Sequence, residues 1–308
     1  MKYVFGPVQS RRLGLSLGVD PIGAKTCTLD CVYCQLGATG HRTLERRPYV
    51  PANKVLDEIR TIIASEQTID YITFSGTGEP TLNSELGPMI AQIKAISDLP
   101  VAVITNSTLL HLKEVQKDLM QADLVVPSID AISPQAFARI NRPHLDIDLT
   151  RMLNGLETFS SNYTGRLWLE VMLVQDVNDS QEELQALADF VKRIACEKIQ
   201  INTVTRPPSE SNCTAVSNHV LEQARELFGP RSEIIGSISP AGNTVNGNNP
   251  AARILALVRS HPCTLEQICT TLGLNSTQAN AALQELISRH DIKRTEHDGN
   301  IFYRALGR

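Results

Sequence analysis

This chain of 308 residues lacks any apolar run long enough to span a bilayer, which leaves no candidate for a transmembrane helix. Its first residues, MKYVFGPVQSRR, have neither the apolar core nor the small-residue cleavage site of a secretory signal peptide. Both absences point to a cytoplasmic protein without a membrane partner. Positive charge is not in excess either: 29 Lys and Arg stand against 33 Asp and Glu, a net charge of -4, so no basic surface dominates. The seven cysteines are an odd number and three of them crowd into eight residues, which is not the layout of a disulfide framework in a chain of this size. What is present, 42% apolar and 20% charged residues, is the composition of an ordinary globular protein with room for one large domain and a smaller module.

Over the first two-thirds, short β-branched runs alternate with longer amphipathic stretches. The pattern predicts strands at 13–20, 70–76, 101–107, 124–130, 166–174 and 198–205, with helices at 53–66, 84–97, 111–121, 148–161, 180–195 and 217–228. Such alternation calls for a parallel sheet with helices outside it. Six units suit a partial (β/α)6 TIM-like barrel over residues 1–235. A doubly wound open sheet is the competing topology, because pattern does not give strand order. Residues 236–249 turn abruptly to Gly, Ser, Asn and Pro without periodicity, and read as a linker. Residues 250–308 read as three helices, at 250–260, 264–272 (with Thr264 and Gln267 as a capping box) and 276–290. A hairpin follows, turning at Asp298-Gly299. Three helices and a hairpin in that order resemble a winged helix-turn-helix domain.

Chemistry concentrates in KTCTLDCVYCQ, where Cys27, Cys31 and Cys34 stand at CxxxCxxC spacing. Three thiols are one short of a tetrahedral set. A zinc site with His41 as fourth ligand is one reading, although zinc sites usually combine two separated pairs and no second pair is near. A ferredoxin-like cluster is another, but that pattern brings a fourth cysteine. A 4Fe-4S cluster on three thiolates instead leaves one iron open to a substrate or cofactor.

The triad, in a loop after the first strand, resembles the signature of the radical S-adenosylmethionine superfamily. The resemblance implies a 4Fe-4S cluster on Cys27, Cys31 and Cys34, whose open iron chelates the amino and carboxylate groups of S-adenosylmethionine. One electron from the reduced cluster then gives methionine and a 5'-deoxyadenosyl radical. Tyr33 matches the aromatic residue that packs on the adenine side. A one-electron reductant such as flavodoxin or ferredoxin is the implied partner.

Later strand ends supply further stations, at the edge where barrel enzymes build their sites. FSGTGEP resembles the superfamily's Gly-Gly-Glu element, with Gly76, Thr77, Gly78 and Glu79 facing the methionine ammonium; a plain strand-to-helix turn or a phosphate loop is the alternative. Ser128 and Asp130 resemble the ribose-contacting station. For these two and for Asn106, capping of the next helix is the competing role. Glu170, Asn178 and Asn202 interrupt apolar strands or follow them, and line the chamber if they face inward. Arg11, Arg12, Arg142, His144 and Arg206 clamp a carboxylate or phosphate, or else form surface ion pairs. The other four cysteines read as small apolar residues.

Within the superfamily, GPVQSRRLGLSLGVDP, the triad, SGTGEPTL and INRPH resemble the iron-sulfur oxidoreductases related to wyosine synthases, which modify transfer RNA. The resemblance covers residues 1–235. Two features depart from the synthases: no cysteine precedes Cys27 for a second cluster, and Lys198 is the one lysine in the predicted strands. The sequence implies hydrogen abstraction from an unidentified substrate, with RNA or protein offered through the C-terminal module. Alternatives are wyosine-type tRNA modification, or a redox-sensing nucleic-acid-binding regulator that reads a groove with Gln278, Asn280, Gln284 and Arg289, the wing carrying Lys293, Arg294 and Arg304. The module's seven Lys and Arg against five Asp and Glu, a net of +2, are weak for a DNA footprint.

Overall fold

The computed structural model describes residues 1–65, 67–235 and 249–306. The expected linker at 236–249 falls almost wholly on 236–248, outside the described residues.

The chain opens with β1 (Val4–Gln9), which pairs antiparallel with β2 (Leu15–Val19), and the cysteine loop follows between the short β3 (Thr26–Cys27) and β4 (His41–Arg42). The alternating part runs α1 (Ala52–Ile63), β5 (Tyr71–Phe74), α2 (Leu86–Ile96), β6 (Val101–Thr105), α3 (Lys113–Leu119) and β7 (Leu124–Pro127). It continues through α4 (Pro134–Ile140), α5 (Leu149–Asn162), β8 (Arg166–Leu173), α6 (Gln181–Val191), β9 (Lys198–Thr203), α7 (Asn218–Phe228) and β10 (Ser232–Ile234).

These strands form one sheet in the order β1-β2-β5-β6-β7-β8-β9-β10, parallel from β2 onward. Each parallel strand lies beside its successor in the chain. A doubly wound sheet would reverse that order at a switch point, so the order favours the open-barrel reading. All six predicted strands are there. The correction is at the edges: β10 adds a seventh parallel strand and β1 an antiparallel one. The strands are almost wholly buried because helices cover the outer face. In α1, Val55, Leu56, Ile59 and Ile62 make the buried stripe, the spacing a helix needs to face a sheet. Ser133, Asp148, Ser180 and Ser217 each accept a backbone N–H three residues on and so begin their helices.

After residue 248 come α8 (Pro250–Ser260), β11 (Cys263–Thr264), α9 (Leu265–Leu272), α10 (Ser276–Ser288), β12 (Ile292–His297) and β13 (Asn300–Ala305). The Thr264/Gln267 capping box is formed, and Asn275 with Gln278 makes a second. Asp298 and Gly299 both take positive φ, the geometry of a tight hairpin turn. The three strands pair as β11-β13-β12. Their core of Ile254, Leu257, Ile268, Leu283 and Leu286 also takes in Val8 of β1, with Phe5 packed against it.

Candidate cofactor site

The strand ends of β2, β5, β6 and β7 bring the predicted stations together. Cys27, Cys31 and Cys34 are free, partly buried thiols on the loop after β2. Each has a polar side chain beside it: Lys25 Nζ lies 2.7 Å from Cys34 Sγ, while Asn106 Nδ2 donates to Cys27 at 3.4 Å and Asn141 Nδ2 to Cys31 at 3.3 Å. Burial first and then Glu79 push the Cys27 thiol up to about 12. Cys31 is raised well above the usual thiol range by burial, with Asp130 adding to it. Metal binding here would therefore release protons. Burial works against the charge of Lys25, yet Cys34 and then the other two thiols outweigh it and hold its pKa above the ordinary value.

Among the described residues, no three His, Cys, Asp or Glu side chains gather round one point as a single ion requires, and His41 is exposed. A multi-iron cluster spreads its thiolates over separate iron atoms, which suits three thiols distributed along a loop.

The Gly-rich turn after β5 approaches the loop closely. Gly76 has φ of 120°, and a Cβ there would come 2.6 Å from the Asp20 carboxyl carbon; at Gly78 it would meet the Thr26 carbonyl oxygen at 1.8 Å. Thr77 Oγ1 donates to Asp20 at 2.7 Å and to the Ala24 carbonyl at 3.0 Å. The turn is thus fastened to the chain leading into the triad.

Glu79 is held by its neighbours. It is 2% exposed, and its carboxylate accepts from Thr81 N (3.1 Å), Thr81 Oγ1 (2.6 Å), Thr105 Oγ1 (2.6 Å) and Asn106 N (2.8 Å). Rather than standing open to an ammonium, it caps the 3-10 turn Pro80–Leu82 and fixes Asn106 beside Cys27. Asp130, 3% exposed, is held in the same way. It accepts from Tyr33 Oη (2.5 Å), Asn141 Nδ2 (2.7 Å) and Met172 N (3.0 Å), and burial still raises its carboxyl to about 6. Neither it nor Ser128 caps α4, which Ser133 does. Asn106 does not cap α3, which starts after Leu112; its Oδ1 accepts from Thr108 N and Oγ1, while Nδ2 donates to Thr28 and Cys27.

Glu170 faces inward and meets Arg12 at 3.0 Å. Burial would raise its pKa, but Arg12, Arg11 and Asn202 outweigh that and hold it below the usual value. Ser128 Oγ lies 3.4 Å from Glu170. Asn202 donates to Glu170, and its own carbonyl oxygen is buried without a partner, an acceptor left for a ligand. Asn178 instead ties the chain after β8 to Asp130 and Met172. Arg142 pairs with Glu210 at 2.6 Å and His144 with Asp146, away from the other three predicted cations. In the C-terminal module, Gln278 is used by its capping box, Asn280 by Ser276 and Arg289 by Glu285, so three of the four groove-contact candidates have local partners.

Sequence reasoning missed Lys25 and Asn141. Lys25 sits two residues before the first cysteine, where a basic residue beside future thiolates is a usable signal. Asn141 gave none, because its partners lie at least eleven residues away in sequence.

A cavity of about 570 Å³ opens between these elements and the C-terminal module. Lys25, Gln35, Gly76 and Thr77 line one wall, Arg259 and Arg304 the other. Its size is within the range of ligand sites. Of the predicted stations, Gly76 and Thr77 border it, while the three thiols and Asn202 do not line it.

Comparison with known proteins agrees with that geometry. The profile described as "Radical SAM superfamily" matches residues 22–191, a span that holds the triad and the stations from Gly76 to Asp130. A UPF0026 protein of Methanocaldococcus jannaschii is 33% identical over 312 residues, 98% of this chain and 96% of that protein. A Brachyspira hyodysenteriae protein named GTPase Obg is 35% identical over 305 residues, 98% of this chain; the chain spans 45% of that relative's length. Among solved structures, a radical SAM methyltransferase from Sphaerobacter thermophilus superposes with a TM-score of 0.55 at 16% identity, over 71% of this chain and 65% of that one. At that identity the likeness speaks for the fold alone.

Proposed function

The chain belongs to the Radical SAM superfamily, whose members are enzymes that use a 4Fe-4S cluster and S-adenosylmethionine, and from that premise we propose that Cys27, Cys31 and Cys34 hold the cluster of an enzyme that abstracts hydrogen from an organic substrate. The observation that carries this reading is the triad itself: three free thiols on the loop after β2, beside the fastened Gly76–Gly78 turn. When bound, the cluster and S-adenosylmethionine supply a 5'-deoxyadenosyl radical, the electron coming from a small one-electron donor of the flavodoxin or ferredoxin class.

This chain's residues then have separable tasks. Lys25 offsets negative charge at Cys34, and the Asn106 and Asn141 amides donate to the other two sulfurs. The backbone of Gly76, Thr77 and Gly78 forms the wall against the methionine part, while Tyr33, Ser128 and Asn202 offer a ring, a hydroxyl and an acceptor to the nucleoside part. Glu79 and Asp130 act one step back, as positioning residues. For the C-terminal module, three helices with a three-stranded sheet support a winged-helix reading; because it lines the larger cavity, we read it as a cover over the site rather than a groove reader.

Anaerobically reconstituted protein with dithionite and S-adenosylmethionine is expected to release 5'-deoxyadenosine, and a Cys31→Ala variant to fall to background. Undiminished release from that variant would refute the assignment.

A further inference from the structure

On the other side of Gln35 and Gly76 lies a second cavity, of about 260 Å³. Arg11, Arg12 and Arg206 project onto it, Ser16 and Thr73 belong to its wall, and His261 from the loop after α8 closes it. Three guanidinium groups in so small a space are unusual, since a buried charge is costly unless it is paired.

Pairing is incomplete here. Arg12 has Glu170 at 3.0 Å, and that one carboxylate also acts on Arg11 from beyond ion-pair distance. Among the described residues, Arg11 donates to the Thr205 hydroxyl at 3.4 Å and Arg206 to the Gln35 side-chain oxygen at 3.2 Å, both neutral acceptors. Among the described residues, no carboxylate lies within ion-pair distance of either. Burial, then Arg206 and Arg12, lower Arg11 to about 10, and burial also lowers Arg206. Burial and these same two arginines hold His261 well below the usual imidazole range, so at neutral pH it adds no charge. Arg142 offers the contrast: with Glu210 at 2.6 Å it is a satisfied ion pair.

We propose that Arg11 and Arg206 bind the anionic group, a carboxylate or phosphate, of the enzyme's substrate, and that this smaller cavity is where that end of the substrate is held. The inference rests on the radical reading above and adds the substrate's chemical class. A guanidinium presents a planar fork of donors that matches either anion, and Arg12 is already occupied by Glu170, leaving two forks to converge. Placement supports the role: Gln35 adjoins Cys34 and Gly76 opens the Gly-rich turn, so an anion held here leaves the rest of the molecule directed toward the cofactor edge. His261 makes the C-terminal module part of the substrate's enclosure.

The test is equilibrium dialysis of the cluster-reconstituted full chain, saturated with S-adenosylmethionine, against labelled acetate and inorganic phosphate in chloride-free buffer, with acetamide as the neutral control. At least one anion should bind saturably, and at least tenfold more weakly to both Arg11→Gln and Arg206→Gln; the tighter anion identifies the group. Arg206→Lys should retain part of the affinity. Without anion, both Gln variants should melt at or above the wild type, because a crowded charge has been removed, and anion should raise the melting temperature of the wild type alone. Absence of saturable binding, equal binding by both Gln variants, acetamide binding as well as acetate, displacement of the anion by S-adenosylmethionine, or Gln variants that melt well below wild type would each overturn the proposal. Release of 5'-deoxyadenosine by wild type reports separately on the radical reading, so either can fail alone.

Discussion

Replacing Glu79 by Gln separates a positioning carboxylate from a ligand. The four bonds to Glu79 come from Thr81 N, Thr81 Oγ1, Thr105 Oγ1 and Asn106 N. Glutamine can keep one oxygen where the three donors of Thr81 and Thr105 converge. Its amide group then faces the Asn106 N–H, donor against donor. A lost bond to a charged acceptor is worth about 1.5–3 kcal/mol and an unsatisfied buried donor about 1–3 kcal/mol. Burial raises the pKa of Glu79, so removing the charge returns part of that. A net loss of about 3 kcal/mol is expected, which in a chain of this size lowers the melting temperature by roughly 5 °C. Urea and thermal unfolding followed by circular dichroism measure it. Asn106, released from its anchor, should also leave Cys27 without its amide donor, so cluster content after reconstitution should fall. A variant within about 1 kcal/mol of wild type whose S-adenosylmethionine affinity fell tenfold would refute the reasoning and restore Glu79 as a direct ligand.

Three further outcomes are expected. Arg12→Ala strands Glu170 in a buried site and should cost about 3–5 kcal/mol, whereas adding Glu170→Gln should recover much of it; a double-mutant cycle in urea that shows no coupling would contradict the ion pair. Asp130, raised by burial to about 6 from an ordinary 3.8, binds its proton more readily in the folded state, so unfolding free energy should fall as pH rises between about 4 and 6, by up to about 3 kcal/mol. Asp130→Asn should flatten that part of the profile, and identical slopes in the two proteins would exclude Asp130 as its source. Filter binding with bulk tRNA and duplex DNA should show little salt-dependent retention, since Gln278, Asn280 and Arg289 already have local partners; strong retention that declines steeply with salt would revive the nucleic-acid reading.

The parallel core was legible because each buried strand is a β-branched run followed by a periodic helix, and both signals are local. Strand β1 was not, since Gly6-Pro7 inside VFGPVQ reads as a break and the pairing shifts register between Phe5 and Val8. Nor was β10, whose three residues carry no period. At the site, the cysteine spacing and the Gly-rich turn stand in contiguous sequence and could be read directly. The roles of Glu79 and Asp130 could not, because a carboxylate's state depends on its partners. For Glu79 these include Thr105 and Asn106, and for Asp130 they are Tyr33, Asn141 and Met172. Motif position suggested that both carboxylates face the cofactor; their hydrogen bonds are made to Thr105, Asn106, Tyr33, Asn141 and Met172.

Strand β1 explains why the two parts of the chain meet at the site. Its backbone extends the large sheet through β2, while Val8 lies in the core of the C-terminal module and Phe5 packs against it. One strand therefore serves two cores, and anything that loosens α8 or α9 from β1 also frees an edge of the sheet. The chain that leaves β1 carries Arg11 and Arg12 before β2 begins, so the same strand aims the cations of the smaller cavity. From the other side, His261 follows α8 directly and Arg304 of β13 comes close to Gly37, three residues past Cys34. The module thus touches the cysteine loop, the arginine cluster and the edge strand through separate elements.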